Sequence, residues 1–287
     1  MKGQFELSPE EERLMMNDFQ LSITYDHETF GKLISGNTHI RQLLQSANIE
    51  YRALKHLDEL FERSLSEEEK EYFKVVMAFE LAMKTMHSIE CLASLLAAYR
   101  KRNPRFHEEI TRYSLDNDAI EILKKSREGT LQLSDIRDLF GFPSDGGIRK
   151  KMIGESCRKI QAYLKELTDF YFPFKELYRR YKHGHPFGVI KWLREKAGKV
   201  VGYMPLLIYL DQDKVEKNRK RSGKIWRFGV NWGGLLSQDS EELFHKIRIV
   251  YNLYFIAKYN CHMRTFYPEL GLARALVKEP KASEPED

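Results

Sequence analysis

Cysteine is scarce in this chain of 287 residues: there are three, Cys91, Cys157 and Cys261, far apart and none in a CxxC pair. An odd, dispersed set supplies neither a disulfide framework nor a thiolate zinc site, so reduced thiols are expected. Also missing are a Walker-type phosphate loop, a dinucleotide-binding GxGxxG and a nucleophile-elbow GxSxG. Their absence argues against a nucleotide-driven motor, a dehydrogenase and a common hydrolase. "GVNWGG" at 229–234 is rich in glycine but lacks the spacing of those motifs, and a turn accounts for it. No long stretch is free of charge. The most apolar helical segment, 72–99, carries Glu80, Lys84, His87 and Glu90 across its middle, which suits a buried helix and not a membrane span. The N-terminus, "MKGQFELSPEEERLMM", has no apolar signal core and turns acidic at once. A cytoplasmic protein with no membrane partner is the expectation.

What the chain does have is helical patterning. Ser8-Pro9-Glu10-Glu11 combines a capping serine, a first-turn proline and a capping-box acid, predicting a helix from there into the low twenties. Ile40, Leu43, Leu44, Ala47, Tyr51, Leu54 and Leu57 recur at three- and four-residue intervals and give one apolar face. Ser66 and Glu69 have capping-box spacing and open a helix that can run to about Arg102, before "NP". Its apolar residues wrap most of the circumference, as in the central helix of a bundle. Shorter helices fit 116–127 and 134–140, a long one fits 148–183, and a last one fits 239–263. Between the last two, "VVGYMPLLIYL" and "KIWRFGV" are rich in β-branched and aromatic residues and predict a β-hairpin with a charged loop, its first strand at an edge or broken because of Pro205. The predicted fold class is therefore mainly α: a multi-helix bundle with a small β-hairpin inserted before the C-terminal helix. The expected organisation is an N-terminal helical segment (1–65), a central bundle (66–198), the hairpin plus C-terminal helix (199–277) and a disordered tail (278–287).

Two cationic features could carry chemistry. The first is "LYRRYKHGHPFG", where Arg179, Arg180, Lys182, His183 and His185 crowd the end of the long helix before Gly184 and Pro186 stop it. Arg179 and His183 are i,i+4, and Arg180 and His183 are i,i+3, so either pair shares a helix face. A neutral imidazole can take the proton of an RNA 2′-hydroxyl while a guanidinium holds the phosphate, and no metal is needed because the nucleophile belongs to the substrate. The same cations also suit a helix C-terminus through the macrodipole, and the sequence leaves both readings open. The second feature is Lys214, Lys217, Arg219, Lys220, Arg221, Lys224 and Arg227, opposed within that span only by Glu216 and flanked by Trp226. Clustered cations beside an aromatic serve phosphate contact and base stacking, although a charged loop can also simply be solvated.

The long apolar helix, the second long helix and the R-x4-H spacing of Arg180 and His185 together resemble the HEPN superfamily, over residues 66–103 and 148–185. Arg179 with His185 gives the R-x5-H form. The resemblance implies a helical, often dimeric domain and metal-independent ribonuclease activity with His185 as the motif histidine. Joined to the helix-face reading, Arg179 or Arg180 would hold the phosphate and His183 or His185 would act as acid or base. RNA or another nucleic acid would be the partner and no cofactor is expected. Two other classes remain. A helical scaffold would need no chemistry. A helix-turn-helix DNA-binding protein would use Arg149, Lys150, Lys151 and Arg158, although Arg137 and Gly147 fit that motif poorly. For metals, His87 and Glu90 give one HxxE but no second copy follows, and Glu80, Lys84, His87 and Cys91 read as a salt-bridged strip along a buried helix or a strip facing a partner.

Overall fold

A computed structural model describes residues 27–60, 65–100, 117–143, 150–183, 187–196, 199–210, 228–231 and 239–266. The helix expected from Ser8 and the expected tail lie outside these residues. The protein is mainly α. Its helices are α1 (His27–Lys55), α2 (Glu67–Arg100), α3 (Asn117–Glu128), α4 (Leu133–Leu139), α5 (Lys150–Lys182) and α6 (Ser240–Phe266), with a single turn at Leu57–Leu60 after α1. Among the described residues no helix is long and apolar enough to cross a membrane.

The capping box opens α2 as the spacing predicts. The Ser66 backbone N–H donates to Glu69 Oε2 at 2.8 Å, and the Glu69 N–H donates to Ser66 Oγ at 3.3 Å. The Ser66 hydroxyl donates to the same Glu69 Oε2 at 2.7 Å, and it and then the Ser66 N–H hold the Glu69 carboxyl below its ordinary pKa. Downstream, Leu81, Ala82, Met83, Met86, Ile89, Leu92, Ala93, Leu95 and Leu96 are all buried and point to every side of the helix. That is possible only for a helix surrounded by others, and α1, α3, α4, α5 and α6 all touch α2.

The surrounding helices each bury one stripe. From α1 come Ile40 and Ala47; from α3, Ala119, Ile122 and Leu123; from α6, Leu243, Ile247, Val250, Leu253, Tyr254 and Ala257. α5 contributes Ile153, Cys157, Ile160, Leu164, Leu167, Tyr171 and Tyr178 at three-, four- and seven-residue steps. Pro173 lies inside α5, where it removes one backbone donor from the helix. α6 starts with the Asp239 carboxylate accepting from the Glu241 N–H at 3.1 Å, and Glu241 and Glu242 complement the positive end of the helix.

Two glycines end helices. After α3, Gly129 has φ 69°, and the Thr130 N–H reaches back to the Lys125 carbonyl at 3.0 Å. After α4, Gly141 has φ 65°, and the Phe142 N–H reaches the Arg137 carbonyl at 2.9 Å. Gly141 is also a point of close packing: a Cβ built there would lie 2.7 Å from the Cys261 nitrogen on α6. This lets Phe140 and Phe142, both buried, plug the core on either side of the turn.

Between α5 and α6 only the backbone is described. Phe187–Lys196 runs antiparallel to Lys199–Leu210, from Phe187↔Tyr209 to Lys196↔Lys199 with an irregularity at Arg194/Glu195, and Phe228–Asn231 lies beside Leu207–Leu210. The side chains whose burial is described belong to helices and their turns, and no strand is among them. Residues 211–227, with the predicted basic loop, lie outside the description.

Candidate functional site

α2 and α5 run antiparallel and share a polar seam inside an otherwise apolar contact. Three tyrosines on α5 meet three polar residues on α2 in reverse order. The Tyr171 hydroxyl donates to Glu90 Oε1 at 2.8 Å, the Tyr178 hydroxyl pairs with His87 Nδ1 at 2.8 Å, and the Tyr181 hydroxyl donates to Glu80 Oε2 at 2.9 Å. Lys182 closes the row, its Nζ 2.9 Å from Glu90 Oε2. Positions 171, 178 and 181 lie on one helical face, as do 80, 87 and 90, so the two stripes interlock. The other nitrogen of His87 faces the Cys91 sulfur at 3.9 Å.

Burial sets the protonation of this seam. It pushes the Tyr171 and Tyr178 hydroxyls far above their usual range, and the nearby Glu90 charge adds to the effect. Tyr181 is pushed up to about 12, by burial first and then by its bond to Glu80. All three tyrosines are therefore neutral hydroxyl groups at ordinary pH. The Cys91 thiol is also pushed up to about 12, by burial and by Glu90, against the opposing charge of Lys182. A thiol held this far from its thiolate is a poor nucleophile, and a cysteine-based reaction is not what this pairing with His87 offers.

A second polar knot ties α1 to α2. Lys84 Nζ is bonded to Glu50 Oε1 and, at 2.6 Å, to Ser46 Oγ. Desolvation raises the Glu50 carboxyl above its ordinary value; Lys84 opposes the rise and the Glu80 charge assists it. Glu50 Oε2 is buried without a hydrogen-bond partner. Tyr51, next in sequence, stacks on Phe244 of α6 with ring centroids 4.8 Å apart.

The cations named in the sequence separate at the end of α5. Arg180 is buried, with 8% of its surface exposed. Arg179 lies at the surface, and its guanidinium pairs with Glu176, Nε and Nη2 each 3.1 Å from Oε2. Lys182 is held by Glu90. His183 is exposed, and its backbone N–H donates to the Arg179 carbonyl at 3.2 Å. That bond carries the helical turn through to His183 and puts Arg179 and His183 on one exposed face. His185 lies outside the described residues, as do Lys214, Lys217, Arg219, Lys220, Arg221, Lys224, Trp226 and Arg227.

Of the helix-turn-helix set, Lys150, Lys151 and Arg158 are exposed along the start of α5, and Arg137 is half-buried on α4. Arg149 and Gly147 lie outside the description. His87 and Glu90, the HxxE pair, are both occupied by tyrosines, and among the described residues no group of three or more His, Cys, Asp or Glu is gathered as a metal site. Of the seam, the sequence showed the α2 strip but not its partners Tyr171, Tyr178 and Tyr181, nor Ser46 and Glu50 beside Lys84. Their signal was the i, i+7, i+10 spacing of the tyrosines on the same face as the apolar stripe. No protein-family model, curated protein or solved structure matches the chain.

Proposed function

We propose that the C-terminal end of α5 is a phosphate-binding site for nucleic acid, RNA first, and that Arg179 and His183 cleave RNA there without a metal ion. The observation that carries this reading is the sorting of the last turn. Arg179 and His183 stand one turn apart at the surface, while Tyr178, Arg180, Tyr181 and Lys182 are turned to the protein or held by it.

In this reading Arg179 leaves Glu176 for a phosphate oxygen, exchanging one carboxylate contact for a similar phosphate contact. His183, neutral, accepts the proton of the 2′-hydroxyl as that oxygen attacks the neighbouring phosphorus. The 5′-oxygen departs, leaving a 2′,3′-cyclic phosphate, and Arg179 balances the charge that builds on the phosphoryl oxygens. Arg180 supports the turn from inside, and His185 would supply the second proton transfer. The cations Lys214, Lys217, Arg219, Lys220, Arg221, Lys224 and Arg227, with Trp226, would contact the strand beyond the cleaved bond. The resemblance to HEPN domains, which rests on Arg180 or Arg179 with His185, adds the expectation of a metal-independent ribonuclease and a dimer.

The test is a panel of labelled RNAs incubated in EDTA with wild type, Arg179→Ala and His183→Ala. The expected result is chelator-resistant cleavage with cyclic-phosphate ends, reduced about 10²-fold or more in each variant. Binding should weaken steeply with salt as phosphate contacts release counterions. An RNA panel neither bound nor cut, or cut equally by both variants, overturns the reading. A second reading, a helical scaffold without chemistry, is favoured by the pairing of Arg179 with Glu176 and of Lys182 with Glu90, and a negative panel selects it.

A further inference from the structure

We infer that the tyrosine–acid seam is a brace for the last turn of α5, and that Glu80 and Glu90 on α2 are positioning residues for Arg179 and His183. The inference rests on the proposed function for its purpose but not for its physics. The final turn of a helix has no intrahelical partners for its carbonyls and frays readily. Here that turn is pinned from outside at three of its positions: Tyr178 by His87, Tyr181 by Glu80 and Lys182 by Glu90. Arg179 and His183 are interleaved among these positions and are exposed. Tyr181 is fixed twice, since its ring also packs edge-on against Phe79 of α2, with centroids 5.6 Å apart. Glu90 reaches further along α5 through Tyr171 and so links the terminal turn to the helix body.

Pinning of this kind matters at a site that must hold two groups in a fixed relation, because a guanidinium and an imidazole on a fraying turn are aligned only part of the time. The acids touch neither proposed group and act only through the backbone of α5.

The experiment is amide hydrogen exchange on the full chain, comparing wild type with Tyr181→Phe, Glu90→Gln and the double variant. Tyr181→Phe keeps the ring against Phe79 and removes one hydroxyl; Glu90→Gln keeps the shape and removes the charge that Lys182 holds. Exchange at residues 179–183 should quicken about tenfold or more in the double variant, and less in each single one. Residues 153–168 of the same helix should change less than about twofold. Lys165→Ala, which removes an exposed pair with Asp169 on the same helix, should leave 179–183 unchanged. Unchanged exchange at 179–183 in the double variant overturns the brace. If the double variant loses protection everywhere, Tyr181→Phe alone decides: faster exchange confined to 179–183 supports the brace, and no change there overturns it. The RNA panel is read separately. With an active wild type, the variants should lower kcat at an unchanged salt slope, since no phosphate contact is removed. An inactive wild type sinks the proposed function and leaves the brace to be judged by exchange.

Discussion

Replacing Gly141 by alanine should damage the fold far more than the same change at Gly129, and the contrast isolates one contact. Both glycines end helices with positive φ, 65° and 69°, so both substitutions force a Cβ into the left-handed region at a cost of about 1–2 kcal/mol. They differ in what the methyl group meets. At Gly129 nothing lies within 4 Å. At Gly141 the new Cβ would sit 2.7 Å from the Cys261 nitrogen, 2.8 Å from the Asn260 carbonyl carbon and 3.0 Å from the Cys261 Cα. All three atoms are backbone of α6, so the neighbour cannot swing aside and the helix or the turn must move. Overpacking of that kind adds about 1–3 kcal/mol. Gly141→Ala should therefore cost about 2–5 kcal/mol and Gly129→Ala about 1–2. Urea denaturation followed by far-ultraviolet circular dichroism measures both, with matched slopes confirming that the unfolding reaction is unchanged. Equal losses, within about 0.5 kcal/mol, would refute the claim that α4 and α6 meet through Gly141.

Two further outcomes follow from buried titrating groups. The Glu50 carboxyl is raised in the folded protein, so the native state binds its proton more tightly than the unfolded chain does, and its contribution to stability falls as pH rises through the ordinary carboxylate range toward the raised value. Glu50→Gln removes that dependence: the difference in stability, wild type minus variant, should decline between pH 4 and pH 7, and a flat or rising difference contradicts the assignment. Burial pushes the thiols of Cys91 and Cys261 up to about 12 and raises that of Cys157. Aromatic disulfide reagents at pH 8 should label none of the three in the native protein within minutes and all three in urea; rapid native labelling would show that the seam or the α4–α6 contact opens readily.

The helices were legible because their signals are local. Ser66 and Glu69 are three residues apart, the apolar steps of α5 repeat within a few turns, and Gly184 and Pro186 follow directly on the long helix. The observed ends of α3, α4 and α5 fall within two residues of those expected. The site was less legible because its decisive relations join distant positions. Nothing near Arg180 tells that it turns inward while Arg179 turns out; that depends on which face of α5 meets α2. The strip of Glu80, Lys84, His87 and Cys91 was visible as a line of polar residues on an apolar helix, yet its partners lie 34 to 101 residues away and carry no marker beyond a tyrosine spacing. Lys182 looked like one more surface cation until Glu90 appeared beside it.

Pro173 gives the seam a second meaning. The proline withholds the rung that would run from position 173 back to the Asp169 carbonyl, and the bonds of Tyr171 and Tyr178 to α2 fall within and just beyond that gap. α2 thus works as a splint across a fracture line in its neighbour. When α5 opens, it should part near Pro173 into two cooperative units, a long segment and a short one, bearing Arg179 and His183, that is tied to α2 through Tyr178, Tyr181 and Lys182.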